Sequence, residues 1–484
     1  MMINSDPKFI LVDAYVGNFP SLGPAYVAGY LRAKGGFNNI KILQKKFCPD
    51  LVSAIIEEKP DIVGYFSITP GFNHLQEIIQ QVKIKKPNLV QIIGGPHFTA
   101  LPHKLPKEIE VGVISEGEET VLEIMNLFKN YGSLPPDELR SIKGIVYRDG
   151  EELIRTERRE GIKNLDEIPF PARDLLNIKG YYPVDFRCFP TKIFRSSGLM
   201  TSRGCPWHCV FCQENVLSNF RAHSAERTVA EMEELINKYD VNFIQILDDQ
   251  FLVSQERLEK IADLVIKKKI HKKVSFFCYL RANQVTPQSI KLLKAMNFRV
   301  VLIGFESGSD RILKYLKDQT CSVEKNQIAY DLCRQNGIHV YGTFMTGAPP
   351  ETMADLQQTY NFIKKNHMAS AGFFILTPLP GTKIWDYAKA RGLVSEDMDW
   401  DKLLIKMSSN SRDKIWLSES LDHEEFFKFY DAKISPLLWH YIQVANDFSI
   451  TDLFKIDFWR LFFKRPKFYL SVLKQSIIHI FKCH

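Results

Sequence analysis

From Phe9 to Thr377 the sequence repeats one pattern: a short apolar run, a loop containing Gly, Ser or Pro, then a stretch of helical periodicity. Strands that are apolar on both faces must be covered on both faces, so the alternation predicts parallel sheets flanked by helices. Phe9 to Val12, Ile62 to Ser67, Val90 to Ile93 and Val111 to Ser115 form a first series, expected as a doubly wound, Rossmann- or flavodoxin-like α/β sheet within residues 1–132. A second series starts at Gly198 to Ser202. It continues through Phe243 to Leu247, Val274 to Tyr279, Val300 to Phe305, His339 to Thr346 and Phe373 to Thr377. Six such units within 193–394 predict a partial, TIM-like (β/α)6 barrel. Between the two lies a Pro-rich, acidic linker, 133–192. It contains a hairpin around Asp149-Gly150, expected as a bridge between domains. Residues 395–484 read as a helical C-terminal region ending in a basic, aromatic tail.

Ligands of parallel sheets bind outside the carboxyl ends of the strands, where the loops of this sequence fall. The loop after the first strand of the second series reads Gly204-Cys-Pro-Trp-His-Cys-Val-Phe-Cys, placing Cys205, Cys209 and Cys212 at Cys-x3-Cys-x2-Cys spacing. Three thiolates on one short loop can each hold one iron of a cuboidal iron–sulfur cluster and leave the fourth iron open. The alternative, a closed zinc site, needs a fourth ligand, for which His208 is the candidate within the loop. The other six cysteines are scattered and read as small buried or partly exposed thiols.

The Cys motif, with Phe211 before its last cysteine and six β/α units around it, resembles the radical S-adenosylmethionine (SAM) enzymes. The resemblance implies a [4Fe-4S] cluster on Cys205, Cys209 and Cys212. Its open iron would chelate SAM, and reductive cleavage would give a 5′-deoxyadenosyl radical. Five elements of the N-terminal half narrow the match: Pro20-Ser-Leu-Gly23-Pro24, Asp61-Ile-Val-Gly64, Gly94-Gly95-Pro96-His97, Glu116-Gly117-Glu118 and Ile168-Pro-Phe-Pro171. In this order they resemble the cobalamin-binding subgroup of these enzymes, over residues 9 to about 395. Gly94, Gly95, Glu116, Gly117 and the Ser67/Thr69 loop are then expected around the corrin ring and its tail, where small residues let the backbone approach closely. The Asp-x-His-x-x-Gly motif that gives cobalt a histidine elsewhere is absent, since the first loop reads Asp13-Ala-Tyr-Val-Gly17. His97 and His103 are therefore expected as loop or surface residues.

The same resemblance places SAM at the mouth of the barrel. Asp248 and Asp249 end the second barrel strand and face its ammonium group, with a helix N-cap pair as the alternative. Arg281 ends the third strand and would bind its carboxylate unless it is solvated. Glu306-Ser307-Gly308 resembles the family's Glu-Ser-Gly element. Gly347-Ala-Pro349 and Pro378-Leu-Pro380-Gly381 would shape the adenine and substrate pockets through their backbone. No acid–base catalyst stands out.

Of the net charge of +7, six charges fall in residues 455–484, where seven basic residues face Asp457 alone. The nearly neutral body does not fit a nucleic-acid binder. Seven aromatics interleave with those basic residues, a composition that suits peripheral contact with an anionic membrane or a lipid-like substrate, with Pro466 breaking the helix. No secretory leader and no long uncharged apolar run is expected, which with nine cysteines in 484 residues fits a reducing cytoplasm. The resulting expectation is a cobalamin-dependent radical SAM enzyme that methylates an unactivated carbon of a small-molecule or lipid-like substrate, with a donor such as flavodoxin or ferredoxin supplying electrons. The alternatives are a radical cyclase or other oxidoreductase without net methyl transfer, and a non-catalytic cobalamin or iron–sulfur sensor.

Overall fold

The structure, a computed structural model, describes residues 6–17, 19–182, 184–185, 193–213, 219–317, 319–368, 370–405 and 412–442, with Trp459, Phe462, Phe463, Pro466 and Leu470 beyond them. Its first half is built on β1 (Phe9–Asp13), α1 (Leu22–Gly35), β2 (Ile40–Gln44), α2 (Leu51–Glu58), β3 (Ile62–Phe66), α3 (Phe72–Lys85), β4 (Val90–Gly94), α4 (Pro96–Ala100), β5 (Val111–Val113) and α5 (Glu118–Tyr131). The strands pair in parallel in the order β2-β1-β3-β4-β5. Successive residues of β1 serve different faces, as the pleat requires. Phe9 and Leu11 join the core under α1 and α5, while Ile10 and Val12 join the one under α2 and α3. The β2–α2 unit stood outside the sequence pattern because β2 is a short edge strand with Lys41 exposed.

The hairpin β6 (Ile145–Asp149) and β7 (Glu152–Arg155) does not bridge domains. It extends the first sheet, with β6 antiparallel to β5. The correction follows from hydrogen bonding, since β5 would otherwise present an unpaired edge.

The second sheet runs in chain order through β8 (Ser196–Leu199), β9 (Phe243–Ile246), β10 (Ser275–Leu280), β11 (Phe298–Glu306), β12 (His339–Thr346) and β13 (Ser370–Ile375), all parallel. Five helices fill the crossovers: α6 (Ala225–Tyr239), α7 (Gln255–Lys267), α8 (Pro287–Ala295), α10 (Val323–Gln335) and α11 (Met353–Lys365), with α9 (Asp310–Lys317) also between β11 and β12. Among the described residues β8 and β13 do not pair, so this is an open, partial barrel. Outside it, α12 (Lys383–Ala390) follows β13. Then α13 (His423–Phe429) leads through a π-helical turn at Tyr430–Ile434 into α14 (Ser435–Ile442). Phe426 stacks on Phe373 of β13 at 6.4 Å and Tyr430 packs against it at a tilt at 6.0 Å, covering the edge of the sheet.

Two segments fix the sheets against each other. In the linker, the Ala172 N–H donates to Ala25 O of α1 at 2.8 Å, and a Cβ on Gly29 would lie 2.4 Å from Phe170 O, so the Pro-Phe-Pro turn rests directly on α1. The fully buried Arg173 then reaches Gly198 O of β8 at 3.2 Å and Glu231 of α6 at 2.5 Å. A second strap returns from the C-terminal region to the first domain. Asp401 accepts from the Gly71 N–H (2.9 Å), Asp399 from Asn73 (2.6 Å), and Glu396 and Asp397 meet His103 and Lys104.

In the basic tail, Trp459, Phe462, Phe463, Pro466 and Leu470 have helical backbone, and the residues on either side of Pro466, where the expected break would show, lie outside those described. The remainder of that expectation lies outside the described residues. Among them, no helix is long and apolar enough to cross a membrane.

Glu231→Gln leaves the Arg173 guanidinium buried without its nearest carboxylate, a loss of about 3–5 kcal/mol for a broken buried pair. Urea denaturation should show an earlier transition for the variant, and coincident curves would refute the role given to this pair.

Candidate active site at the facing strand ends

These contacts set the carboxyl ends of the first sheet opposite those of β8 and β9, and an open cavity lies between them. From the first domain it is lined by Gly23, Pro24 and Tyr26 of the α1 region, by Gly94 and Gly95 at the end of β4, and by Glu116 and Gly117 before α5. From the barrel it is lined by Met200, Arg203, Gly204, Leu247 and Asp249. The wall at Gly95 demands glycine. Its φ is +105°, and a Cβ there would sit 2.5 Å from Ser67 O. Gly117, the N-cap of α5, lines the cavity, so the positive end of that helix lies beside it.

Ser67 and Thr69 do not reach this wall. The Ser67 hydroxyl donates to Gly94 O (2.8 Å) and accepts from the Phe98 N–H (3.2 Å), tying the ends of β3 and β4 together. Thr69 meets Nδ1 of His97 at 3.2 Å. His97 is neither a loop nor a surface residue. It is buried between Phe72 and Trp400, and burial lowers its pKa to about 3, so it is neutral at ordinary pH. His103 is on the surface with Glu396, and none of the described residues lining the cavity is histidine.

A four-residue ion network seals the domain boundary, and of its members only Glu116 and Glu118 stood in the motifs read from the sequence. Glu118 is buried and pairs with Arg203 at 2.5 Å, while Glu116 pairs with Arg221 and, at 3.4 Å, with Arg203. Burial acts to raise the Glu118 pKa, but the guanidinium of Arg203 outweighs it and holds the carboxyl below its usual value. Arg203 directly precedes Gly204 and Cys205. Ser202 and Arg203 pair antiparallel with Ala222 and Arg221, which pinches the cysteine loop at its base.

The far side of that loop is pinned by backbone. The Val210 N–H donates to Leu316 O at 3.1 Å, Val210 O accepts from the Ile384 N–H at 3.2 Å, and Gln213 donates to Pro380 O at 2.9 Å. Phe211 packs against the apolar cluster that holds Ile384 and Leu316. Cys209 is buried, and Cys205 and Cys212 are partly exposed. Burial pushes the Cys205 thiol up to about 11, so a metal binding there displaces a proton. His208, the candidate fourth zinc ligand, is exposed. Among the described residues no three His, Cys, Asp or Glu side chains converge tightly enough for a single ion. Thiols spread along one loop fit a cluster, in which each thiolate binds a different iron.

The two aspartates after β9 part ways. Asp249 lines the cavity. Asp248 is buried and does not face the mouth, and it is no helix cap either. It accepts from the Thr201 N–H (2.5 Å) and hydroxyl and from the Ser202 hydroxyl (2.6 Å), bracing the turn into the cysteine loop. Arg281 is buried rather than solvated, and its Nη1 donates to Cys209 Sγ at 3.0 Å. Glu306 has φ of +60°, Oε1 lies 3.1 Å from Lys317, and the buried Oε2 has no hydrogen-bond partner among the described residues, which suits a ligand donor such as an ammonium group. Ser307 turns away to Thr359 (3.2 Å) and the Ser309 N–H (3.1 Å). The Gly347 and Ala348 N–H groups, expected to shape a pocket, donate to Glu351 at 2.6 and 3.3 Å, and burial raises that carboxyl to about 7.

Comparison with known proteins agrees with this layout. Residues 199–363 match the Radical SAM superfamily and residues 9–125 a B12 binding domain. An uncharacterized methyltransferase of Pyrococcus horikoshii is 31% identical over 394 residues, covering 79% of this chain and 81% of its own. The anaerobic magnesium-protoporphyrin IX monomethyl ester cyclase of Rubrivivax gelatinosus is 26% identical over 92% of this chain and 82% of its own. In fold, the chain is similar to the radical SAM methyltransferase TsrM of Kitasatospora setae, with a TM-score of 0.69 at 17% identity, covering 91% of this chain and 90% of that one. The chain is thus an enzyme of the radical SAM superfamily, of the group that carries a B12 binding domain.

Gly95→Ala strains the turn that walls the cavity. At least a tenfold loss of retained cobalamin is expected, with iron content unchanged, measured by optical absorbance and metal analysis after anaerobic loading. Equal cobalamin in both proteins would remove Gly95 from the site.

Proposed function

We propose that this enzyme transfers a methyl group to an unactivated carbon of a small-molecule or lipid-like substrate. The observation that carries the reading is the shared cavity. Gly95 and Gly117 on one wall and Gly204 and Asp249 on the other open on one space, so a corrin held by the first domain would face the cysteine loop. When bound, the cluster and SAM supply one-electron bond cleavage and hydrogen abstraction, and cobalamin supplies a methyl carrier. Cys205, Cys209 and Cys212 would hold the cluster, Asp249 and Glu306 the ammonium end of SAM, and the Gly94-Gly95 and Glu116-Gly117 loops the corrin. The chain's own contribution is positioning and exclusion. The Arg203–Glu118 pair closes the seam beside the loop, and Asp248 fixes the turn from which the loop departs.

Similarity to the methyltransferase relative supports methyl transfer, and similarity to the cyclase supports a second reading, radical oxidation without methyl transfer. SAM labelled in its methyl group, supplied with a reductant such as reduced flavodoxin or ferredoxin and candidate substrates, separates them. Label should appear in the product, and 5′-deoxyadenosine with unlabelled product would favour the second reading. Cys205→Ala should abolish both products.

Peripheral membrane contact belongs to the same proposal, on the strength of the exposed Trp459, Phe463 and Leu470 in the basic tail. Anionic liposomes should pellet the full chain and not a form ending before residue 455. Equal soluble fractions would exclude it.

A further inference from the structure

We propose that Arg281 and Lys317 are positioning residues that set the reduction potential of the cluster through Cys209. The inference rests on the cluster reading above. The polar contacts of the Arg281 guanidinium include Nη1 to Cys209 Sγ at 3.0 Å, and Nη2 to Lys317 O at 2.7 Å and Thr320 Oγ1 at 3.0 Å. Its plane lies over the Trp207 ring, 4.7 Å from the centroid, within the same loop. These contacts hold a planar fork in one orientation.

Lys317 is equally buried, with Nζ on Gly304 O at 2.5 Å and on Glu306 Oε1 at 3.1 Å. It stands at the end of α9. There Leu316 O receives the Val210 N–H, so the segment that carries this charge also holds the residue after Cys209.

A hydrogen bond to a ligating sulfur and fixed positive charge in a water-poor setting both stabilise the more negative, reduced form of a cluster. Burial limits solvent screening of the Arg281 charge, while Glu306 partly offsets that of Lys317. Reduction adds one electron from the external reductant to the cluster and moves no atom, and Arg281 stays charged throughout. Two residues outside the cysteine motif thereby make the cluster easier to reduce. This differs from holding the SAM carboxylate, the role expected of Arg281 from sequence, because the effect is present before SAM binds.

The test is an anaerobic dithionite titration of the reconstituted full chain without SAM. The reduced cluster is followed by spin resonance in the unaltered protein and in Arg281→Gln, Arg281→Lys and Lys317→Met. At the midpoint of the unaltered protein, Arg281→Gln should raise the oxidised-to-reduced ratio about tenfold, equivalent to about 59 mV for a one-electron couple. Arg281→Lys should lie between the two, and Lys317→Met should move the same way by less. Arg281→Gln with full iron and sulfide and an unmoved midpoint overturns the proposal. Where Arg281→Gln fails to retain the cluster, unmoved midpoints in the other two overturn it, as does cluster loss from all three. Failure of the underlying reading looks different, because then the unaltered protein itself gives no reducible iron–sulfur signal.

Discussion

The arrangement depends on holding two parallel sheets so that their carboxyl ends look at one another. Neither sheet can impose this on the other through its own hydrogen bonds. It is imposed by the linker and the C-terminal strap, and above all by buried charge. Arg173 leaves the linker to join β8 and Glu231, and Arg203 leaves the second sheet to join Glu118 at the head of α5. Apolar contact tolerates sliding, whereas a desolvated guanidinium bonded to a buried carboxylate tolerates very little. The cavity is what remains between strand ends that these pairs keep from closing.

The same economy governs the cysteine loop. Nothing in Cys-x3-Cys-x2-Cys fixes where three thiols will point. Here the loop is pinched at its base by the Ser202–Ala222 pairing, braced by Asp248, and tied on its far side to Leu316 and Ile384. Residues expected to touch a ligand thus turn out to hold the scaffold, and Asp248, Ser67 and Ser307 are all of this kind. The polar side chain at a strand end has two uses, facing the mouth or fastening the turn, and the chain employs both at Asp249 and Asp248.

Much of the fold was legible because strand and helix periodicities are local. Both series of parallel strands, the Gly94-Gly95 turn and the cysteine loop stand where the pattern put them. The departures concern partners distant in sequence. The hairpin was placed as a bridge because its turn is local, but what it pairs with, β5, is decided by a free edge 30 or so residues away in the chain. Arg281 looked like a surface or ligand residue until the fold brought Cys209, Lys317 and Thr320 around it. His97 looked like a loop residue until Trp400 closed over it.

The sequence by itself determined the class of chemistry, because ligand type and spacing are covalent facts: three cysteines on one loop and glycines where backbone must come close. It also determined the two layers of strands, because apolar periodicity is read along the chain. Only the tertiary structure decided that both loops open on one cavity and that a guanidinium sits against one sulfur. Those outcomes depend on which buried charges find each other, and a charge carries no mark of its partner until folding removes the water between them.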